Sequence, residues 1–245
     1  MRKVLILSIL AGLSFAVCGC RTNTTPDSAP QPRLDTVASS AAPSPASNAV
    51  TPSIAAAKPD NDPRPLIVCF GDSLTAGLGT GPGQSYPDYL QADLDQLHYH
   101  YRVVNEGVSG DFTKDGVERL PDVLALHAAI VVVEFGGNDG LRGLRIEDTR
   151  ANLDKIVGDL KNSGAKVVLA GISLPPDYGP DYIQQFNETY TLLAKKYRVP
   201  MLPFLLQNVY GVPGMMQSDR THATAKGNQI VARNVLPLVV PLLKK

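Results

Sequence analysis

The sequence predicts an α/β fold, a three-layer α/β/α sandwich built around a five-stranded parallel sheet. Short apolar runs alternate five times with segments of helical periodicity after residue 64, a pattern typical of parallel βαβ units with right-handed crossovers. The run 129–135 is apolar over almost its whole length, as expected for a central strand buried on both faces. For five strands, the flavodoxin-like order 2-1-3-4-5 is the natural prediction.

Residues 1–19 precede this pattern and predict a lipoprotein signal peptide. Two basic residues after the initiating methionine are followed by the apolar run 4–17. This run is shorter than the roughly 20 residues that cross a bilayer and fits the apolar region of a signal peptide. The segment 17–20, Val-Cys-Gly-Cys, resembles a bacterial lipobox, so we expect cleavage before Cys20 and lipidation of that residue. The alternative is a plain secretory signal that is cleaved nearby.

Residues 20–63 predict a disordered tether. From residue 21 onward they contain no aromatic side chain and are dominated by Ala, Pro, Ser and Thr. Such a composition cannot bury enough apolar surface to offset the entropy lost on ordering. A Pro-rich recognition segment is the weaker alternative, because no clear PxxP cluster with basic flanks is present. With Cys20, the tether predicts a lipid-anchored protein of the bacterial cell envelope, periplasmic or at the outer membrane, whose lipid contacts the membrane.

Residues 64–245 have the length of one folded domain. The formal net charge of the chain is zero and no long basic block is present, so nucleic acid is not an expected partner. Cys69 is the one cysteine of this part and is expected to be a core residue. No Cys/His grouping has metal-ligand spacing, so we expect neither a metal nor a cofactor, and a monomer is favoured.

The first predicted strand spans 66–70, a short apolar run between Pro65 and Gly71. Ser73 follows on a turn at the carboxyl end of this strand, where α/β enzymes place their chemistry. An ordinary strand-to-loop turn rich in Gly, Asp and Ser explains the same residues. This stretch alone therefore does not decide between a nucleophile and a simple turn.

The remaining elements follow from hydrophobic periodicity and from capping residues. Ser85 and Pro87 open the first predicted helix as N-cap and first-turn proline. Prolines interrupt the fifth predicted strand and indicate a position at the sheet edge. The other strands are predicted at 101–105, 129–135, 166–172 and 199–205, and the later helices at 113–126, 146–162, 182–197 and 225–243.

Groups that could perform acyl transfer converge at the carboxyl edge of the predicted sheet. Ser73, Gly110 and Asn138 follow strands one, two and three, which are neighbours in the predicted order. His222 lies in the loop after strand five, three residues beyond Asp219. A histidine base activates a serine, a carboxylate orients the histidine, and N–H donors stabilise the oxyanion.

Each of these groups also has an ordinary explanation. Asn138 lies in a turn sequence, and Asp219 with His222 could be a capped helix start beside an incidental histidine. Chance placement does not easily explain four such groups on four loops of one sheet edge, so catalysis is favoured. The other histidines, His98, His100 and His127, are predicted at solvated helix ends.

Four sequence blocks, in this order, resemble those of the GDSL, or SGNH, hydrolases. They are 71–74 (Gly-Asp-Ser-Leu), 109–111 (Ser-Gly-Asp), 136–139 (Gly-Gly-Asn-Asp) and 219–222 (Asp-x-x-His). The resemblance covers almost all of 64–245 and is closest to the periplasmic thioesterase I/lysophospholipase-type arylesterases.

The resemblance implies a role for each matching residue. Ser73 is the implied nucleophile and one oxyanion donor, and Gly110 and Asn138 complete the oxyanion hole. His222 is the implied base and Asp219 its orienting partner. One position departs from the family, because an alanine follows the histidine where a proline is usual, and this departure puts the rigidity of the loop in doubt.

The implied reaction is hydrolysis of carboxylic esters or thioesters with short to medium acyl chains through an acyl-serine intermediate. The loops 140–145 and 174–180 are expected to form the acyl groove. A carbohydrate O-deacetylase with the same triad is one alternative, and a tethered module that binds a nucleotide or flavin without catalysis is another. The expected groove residues are Asp72, Leu141, Leu144 and Tyr178.

Overall fold

A five-stranded parallel sheet organises residues 62–244, the part of the chain that the structure, a computed structural model, describes. The strand order is β2-β1-β3-β4-β5, which confirms the predicted order and the α/β fold class. The predicted signal peptide, Cys20 and nearly all of the predicted tether lie outside the described residues. The strands are β1 (Leu66–Gly71), β2 (Arg102–Gly107), β3 (Ile130–Glu134), β4 (Lys166–Ala170) and β5 (Met201–Leu202).

Helices cover both faces of this sheet. They are α1 (Ser73–Ala76), α2 (Tyr86–Gln96), α3 (Thr113–Ala125), α4 (Gly137–Leu141), α5 (Ile146–Asn162), α6 (Pro180–Tyr197) and α7 (Ala225–Val239), with 3₁₀ turns at Pro176–Tyr178 and Val240–Leu242. The pair α2 and α7 packs together, and α3, α5 and α6 form a second group against the sheet. This arrangement gives the predicted three layers.

The carboxyl ends of β2, β1 and β3 lie side by side. Gly71, the last residue of β1, pairs in register with Gly107 of β2 and Glu134 of β3. A Cβ atom at Gly107 would lie 2.2 Å from the backbone nitrogen of Ala76, so glycine there allows α1 to pack closely on β2. The residues that follow these three strands are thereby placed at one edge.

Two elements differ from the sequence prediction. The short helices α1 and α4 replace the turns expected after β1 and β3. Asp72 caps α1 by accepting a hydrogen bond from the Leu74 N–H at 3.0 Å, and helices of four and five residues are too short to give a periodic pattern. The fifth strand is two residues long instead of spanning 199–205, because Pro200 and Pro203 flank it and lack the N–H of a longer ladder.

The two central strands form the middle of the hydrophobic core. Side chains 67–70 of β1 and 130–133 of β3 are at most 1% exposed, and each large aliphatic side chain buried in this way contributes about 1.5–3 kcal/mol. Cys69 is one of these core residues, and burial raises the pKa of its thiol to about 12. No helix within residues 62–244 is both long enough and apolar enough to cross a membrane.

Candidate active site

Ser73 and His222 meet at the carboxyl edge of the sheet. Ser73 is the first residue of α1, and the residue is 8% exposed. His222 lies in the loop between β5 and α7, and its Nε2 atom is 2.8 Å from Ser73 Oγ. At this distance an unprotonated Nε2 accepts the hydroxyl proton, so the geometry suits a serine nucleophile and its base.

Asp219 holds the other side of the His222 ring. Its Oδ2 atom is 2.7 Å from His222 Nδ1, and its Oδ1 atom accepts hydrogen bonds from the backbone N–H groups of Thr221 and His222 at 2.9 and 3.1 Å. Burial opposes ionisation of this carboxyl, but these hydrogen bonds outweigh it and lower the pKa of Asp219 to about 2. Asp219 is therefore ionised at neutral pH and fixes the tautomer in which Nδ1 carries the proton.

The loop that carries Asp219 and His222 is held by hydrogen bonds on both sides. The Gln217 N–H donates to the carbonyl of His222 at 2.8 Å, and Met216 forms an antiparallel bridge with Ala223. The Gln217 side-chain amide donates to Ala223 O at 2.9 Å and to Leu78 O at 2.7 Å. These bonds restrain the loop at the position where the family usually has proline.

Asn138 lies in the first turn of α4 and lines the same groove as Ser73. Its Nδ2 atom donates to the carbonyl of Asp111 at 2.8 Å and is 3.4 Å from Asp72 Oδ2. Gly110 precedes Asp111 and has a φ of 93°, in the left-handed region that favours glycine. The contact between Asn138 and Asp111 thus brings together the two loops that carry the predicted oxyanion donors.

Arg119 of α3 fixes the loop that contains Gly110. Its guanidinium forms an ion pair with Asp111 at 2.7 Å and donates to the carbonyl oxygens of Gly71 and Glu106 at 3.3 Å each. Arg119 thereby joins the ends of β1 and β2 to the residue that follows Gly110. The sequence did not predict this role.

Asp139, the last residue of the Gly-Gly-Asn-Asp block, ties α4 to the start of α3. Its buried carboxylate accepts hydrogen bonds from Thr113 N and Oγ1 at 2.9 and 2.5 Å, and from Thr149 Oγ1 at 3.2 Å. Thr113 lies three residues after Gly110, and Asn138 directly precedes Asp139. Asp139 therefore sets the spacing between the two oxyanion loops, another role that sequence reasoning missed.

Asp72 borders both the nucleophile and Asn138, and it is 2% exposed. Burial raises the pKa of its carboxyl to about 6, against the effect of the hydrogen bond from the Leu74 N–H. This carboxyl group, 3.4 Å from Asn138 Nδ2, is therefore easier to protonate than that of an ordinary aspartate.

An apolar groove, open to solvent, lies beside Ser73. Of the predicted groove residues, Asp72 and Leu141 line it, whereas Leu144 and Tyr178 do not. Leu144 is 40% exposed, and the Tyr178 hydroxyl donates to the carbonyl of Leu141 at 2.8 Å, so Tyr178 contacts the groove wall from outside. The apolar wall residues are Leu74, Leu141, Ile172, Leu174, Pro175, Phe204, Leu206 and Tyr210.

The other titratable groups singled out in the sequence lie elsewhere. His98, His100 and His127 are exposed and do not line the groove beside Ser73. Within residues 62–244, no group of three or more His, Cys, Asp or Glu side chains is arranged to hold a metal ion.

Known proteins that resemble this chain match it across the whole of this site. The profile of the GDSL-like lipase/acylhydrolase family matches residues 69–230, a range that contains all four sequence blocks. Esterase TesA of Pseudomonas aeruginosa is 42% identical over 178 residues, which are 72% of this chain and 89% of that protein. Thioesterase 1/protease 1/lysophospholipase L1 of Escherichia coli is 36% identical over 178 residues, 72% of this chain and 84% of that protein.

Solved structures agree with these sequence matches. The crystal structure of TesA has a TM-score of 0.70 at 42% identity, and the match covers 73% of this chain and 99% of that chain. AlinE4, described as an SGNH-hydrolase family esterase, has a TM-score of 0.62 at 36% identity, covering 74% of this chain and 98% of that chain. The chain therefore belongs to the GDSL-like lipase/acylhydrolase family, the SGNH hydrolases that its four sequence blocks predicted.

Proposed function

We propose that this protein is a serine esterase that hydrolyses carboxylic esters or thioesters with short to medium acyl chains. The observation that carries the proposal is the hydrogen-bonded series Ser73, His222 and Asp219, with distances of 2.8 and 2.7 Å, at an apolar groove. The names of the two relatives described above, an esterase and a thioesterase/lysophospholipase, support ester and thioester substrates.

In the proposed acylation step, His222 Nε2 takes the proton of Ser73 Oγ while that oxygen attacks the substrate carbonyl carbon. The carbonyl oxygen becomes an oxyanion, which accepts hydrogen bonds from Ser73 N, Gly110 N and Asn138 Nδ2. The imidazolium, stabilised by Asp219, then protonates the leaving alcohol or thiol as the ester bond breaks. In deacylation His222 takes a proton from water, whose oxygen attacks the acyl carbon, and the proton passes to Ser73 Oγ as the carboxylic acid leaves.

Replacement of Asn138 by alanine is expected to lower kcat by about 10²- to 10³-fold with little change in KM, because one oxyanion donor is lost. Steady-state kinetics on a p-nitrophenyl ester measure both constants. Asn162→Ala, at the exposed end of α5, is the matched control and is expected to leave both unchanged. A normal kcat in Asn138→Ala would contradict the oxyanion role.

The apolar walls of the groove favour acyl chains over sugars as the bound group. A series of p-nitrophenyl esters from acetate to dodecanoate, assayed beside an acetylated glycan, tests this preference. The expected result is highest kcat/KM among the short to medium esters. Release of acetate from the glycan without turnover of the longer esters would indicate the carbohydrate O-deacetylase instead.

A serine-directed organophosphonate tests the nucleophile without any choice of substrate. Attack of Ser73 Oγ on phosphorus displaces the leaving group and forms a covalent adduct, so mass spectrometry is expected to find one equivalent of label on Ser73. An unlabelled protein that also hydrolyses none of the esters would be the non-catalytic binding module.

We also propose that this domain is anchored in the bacterial cell envelope by lipid on Cys20, after removal of the signal peptide 1–19. The tether 20–63 would let the domain stand off the membrane in the periplasm or at the outer membrane. Support comes from the basic start, the apolar run and the lipobox-like segment of the sequence.

Labelled palmitate supplied to bacteria that express the full chain is expected to enter the protein and to be absent from Cys20→Ala. Cys18→Ala is the matched control, because alanine is also small, and it is expected to keep the label. Label that persists in Cys20→Ala would contradict the anchor.

A further inference from the structure

Glu134 lies beneath the nucleophile turn and has no part in the hydrolytic steps described above. It is the last residue of β3 and is fully buried. Its register partner in β1 is Gly71, where a Cβ atom would lie 2.6 Å from Glu134 Oε2 and 2.5 Å from its carbonyl oxygen. Glycine at position 71 therefore makes room for a carboxyl group under the turn.

One oxygen of Glu134 is bonded to the residues on either side of Ser73. Glu134 Oε2 accepts a hydrogen bond from Thr75 Oγ1 at 2.8 Å and lies 3.3 Å from the donating N–H of Asp72. Asp72 directly precedes Ser73, and Thr75 follows it by two residues in α1. Glu134 thus restrains the nucleophile turn both before and after Ser73.

The other oxygen accepts no hydrogen bond. Glu134 Oε1 is buried and without a donor, and no ion pair in the described residues joins Glu134 to a basic side chain. An ionised carboxylate would leave this oxygen uncompensated in an apolar interior, which is costly. A protonated Oε1 becomes a donor instead. The neighbouring carboxylate belongs to Asp72, whose backbone N–H lies 3.3 Å from Glu134 Oε2.

The titratable groups around Glu134 also favour its neutral form. Burial raises the pKa of Glu134 well above its usual range, and the nearby Asp72 carboxylate raises it further. The other groups that face it are the buried phenols of Tyr86 on α2 and Tyr190 on α6, and burial raises the pKa of both well above that of an exposed tyrosine. Both phenols are neutral, so among these neighbours Asp72 is the group whose ionisation affects that of Glu134.

We propose that Glu134 is a positioning residue that is protonated in the active enzyme and donates a hydrogen bond from Oε1 to the carboxylate of Asp72. Glu134 Oε2 accepts hydrogen bonds from Thr75 Oγ1 and the Asp72 N–H at the same time. Both oxygens of the neutral carboxylic acid therefore form hydrogen bonds that stabilise the nucleophile turn. This role rests on the proposed esterase function, because the braced turn supplies both the nucleophile and the Ser73 N–H that receives the oxyanion. Loss of the brace should lower kcat and leave KM nearly unchanged, because the apolar groove remains intact.

Two substitutions of Glu134 test whether its side chain acts through hydrogen bonds or only by filling space. Glu134→Gln keeps a neutral group that can donate to Asp72 and accept from Thr75, and it is expected to keep kcat within about threefold of wild type. Glu134→Leu fills similar space without hydrogen bonds, and it is expected to lose about 10- to 100-fold in kcat with KM within about twofold. Rescue by glutamine but not by leucine is the expected result, and an equal loss in both variants would overturn the proposal.

The pH dependence of unfolding tests the proton on Glu134 without any substrate. A glutamic acid that is neutral when folded and ionised when unfolded makes the folded state bind one proton more, so it lowers stability as pH rises above the unfolded pKa of about 4.3. The difference in Tm between Glu134→Gln and wild type is therefore expected to grow in favour of the variant from about pH 5 to about pH 8. Asp72 is present in both proteins, so its own titration does not produce this difference. A Tm difference that does not change with pH would overturn the proposal, whether or not Glu134→Leu folds.

Failure of the esterase proposal would appear separately, as a wild-type protein that neither hydrolyses esters nor takes up organophosphonate.

Discussion

Replacement of Ser73 by alanine is expected to lower kcat for ester hydrolysis by about 10⁴- to 10⁶-fold. The substitution removes the oxygen that lies 2.8 Å from His222 Nε2, and with it the acyl-enzyme route. The backbone N–H of residue 73 and the Asn138 amide remain, so a small residual rate from the oxyanion donors and substrate binding is expected. KM should change little, because the groove walls are untouched.

Stability should be nearly unaffected by this substitution. The Ser73 hydroxyl donates to His222 Nε2 and makes no capping bond of α1, which Asp72 caps. Near-identical circular dichroism and Tm, together with the loss of kcat, would separate a chemical effect from misfolding. Ser163→Ala, at the exposed residue that follows α5, is the matched control for kcat. Turnover in Ser73→Ala equal to that of wild type would refute a serine nucleophile.

The sheet could be predicted from the sequence because each strand has a local signal. Short runs rich in apolar residues mark all five strands, and the flavodoxin-like order that five parallel strands predict is the observed order. The helices α1 and α4 have no such signal, because four or five residues complete little more than one turn. Their positions are set by tertiary contacts, such as the packing of Ala76 on Gly107.

In the candidate site, too, the residues in local sequence blocks could be predicted, whereas a residue that acts through distant contacts could not. The nucleophile, its base and the oxyanion donors lie in sequence blocks, so topology alone brought Ser73, Asn138 and His222 to one edge. Glu134 is the one charged residue in the run 129–135, and the pattern of that run predicts only a strand. Its role depends on Thr75 and Asp72, which are 59 and 62 residues away, and no local spacing indicates such a contact.

The groove shows the same dependence on distant contacts. Phe204 and Tyr210 follow the short strand β5, and their rings pack edge to face with centroids 6.2 Å apart. Both residues line the groove beside Ser73. Sequence reasoning placed the acyl site on the loops 140–145 and 174–180 only, because it could not determine how far the loop after β5 extends across the edge of the sheet.

Replacement of Asp219 by asparagine is expected to lower kcat by about 10³- to 10⁴-fold. The Asp219 carboxylate accepts the Nδ1 proton of His222 at 2.7 Å, which leaves Nε2 free to take the proton of Ser73. An asparagine amide at the same position can donate to Nδ1 and thereby force the proton onto Nε2, where it blocks proton transfer from the serine. The side chain of Asp219 is 46% exposed, so solvent screens its charge and orientation of the ring is the larger part of its role.

Asp219→Ala separates these two contributions. Alanine neither stabilises the imidazolium nor imposes the wrong tautomer, so its kcat should lie above that of the asparagine variant and well below that of wild type. Initial rates of p-nitrophenyl ester hydrolysis over a range of pH measure this order, with Asp181→Asn on the exposed start of α6 as control. If asparagine and wild type gave the same kcat, the ring of His222 would have to be held by the loop alone, through the bonds of Gln217 to the His222 and Ala223 carbonyls. Asp219 would then order its own loop through the Thr221 and His222 N–H groups and would not be a member of a triad.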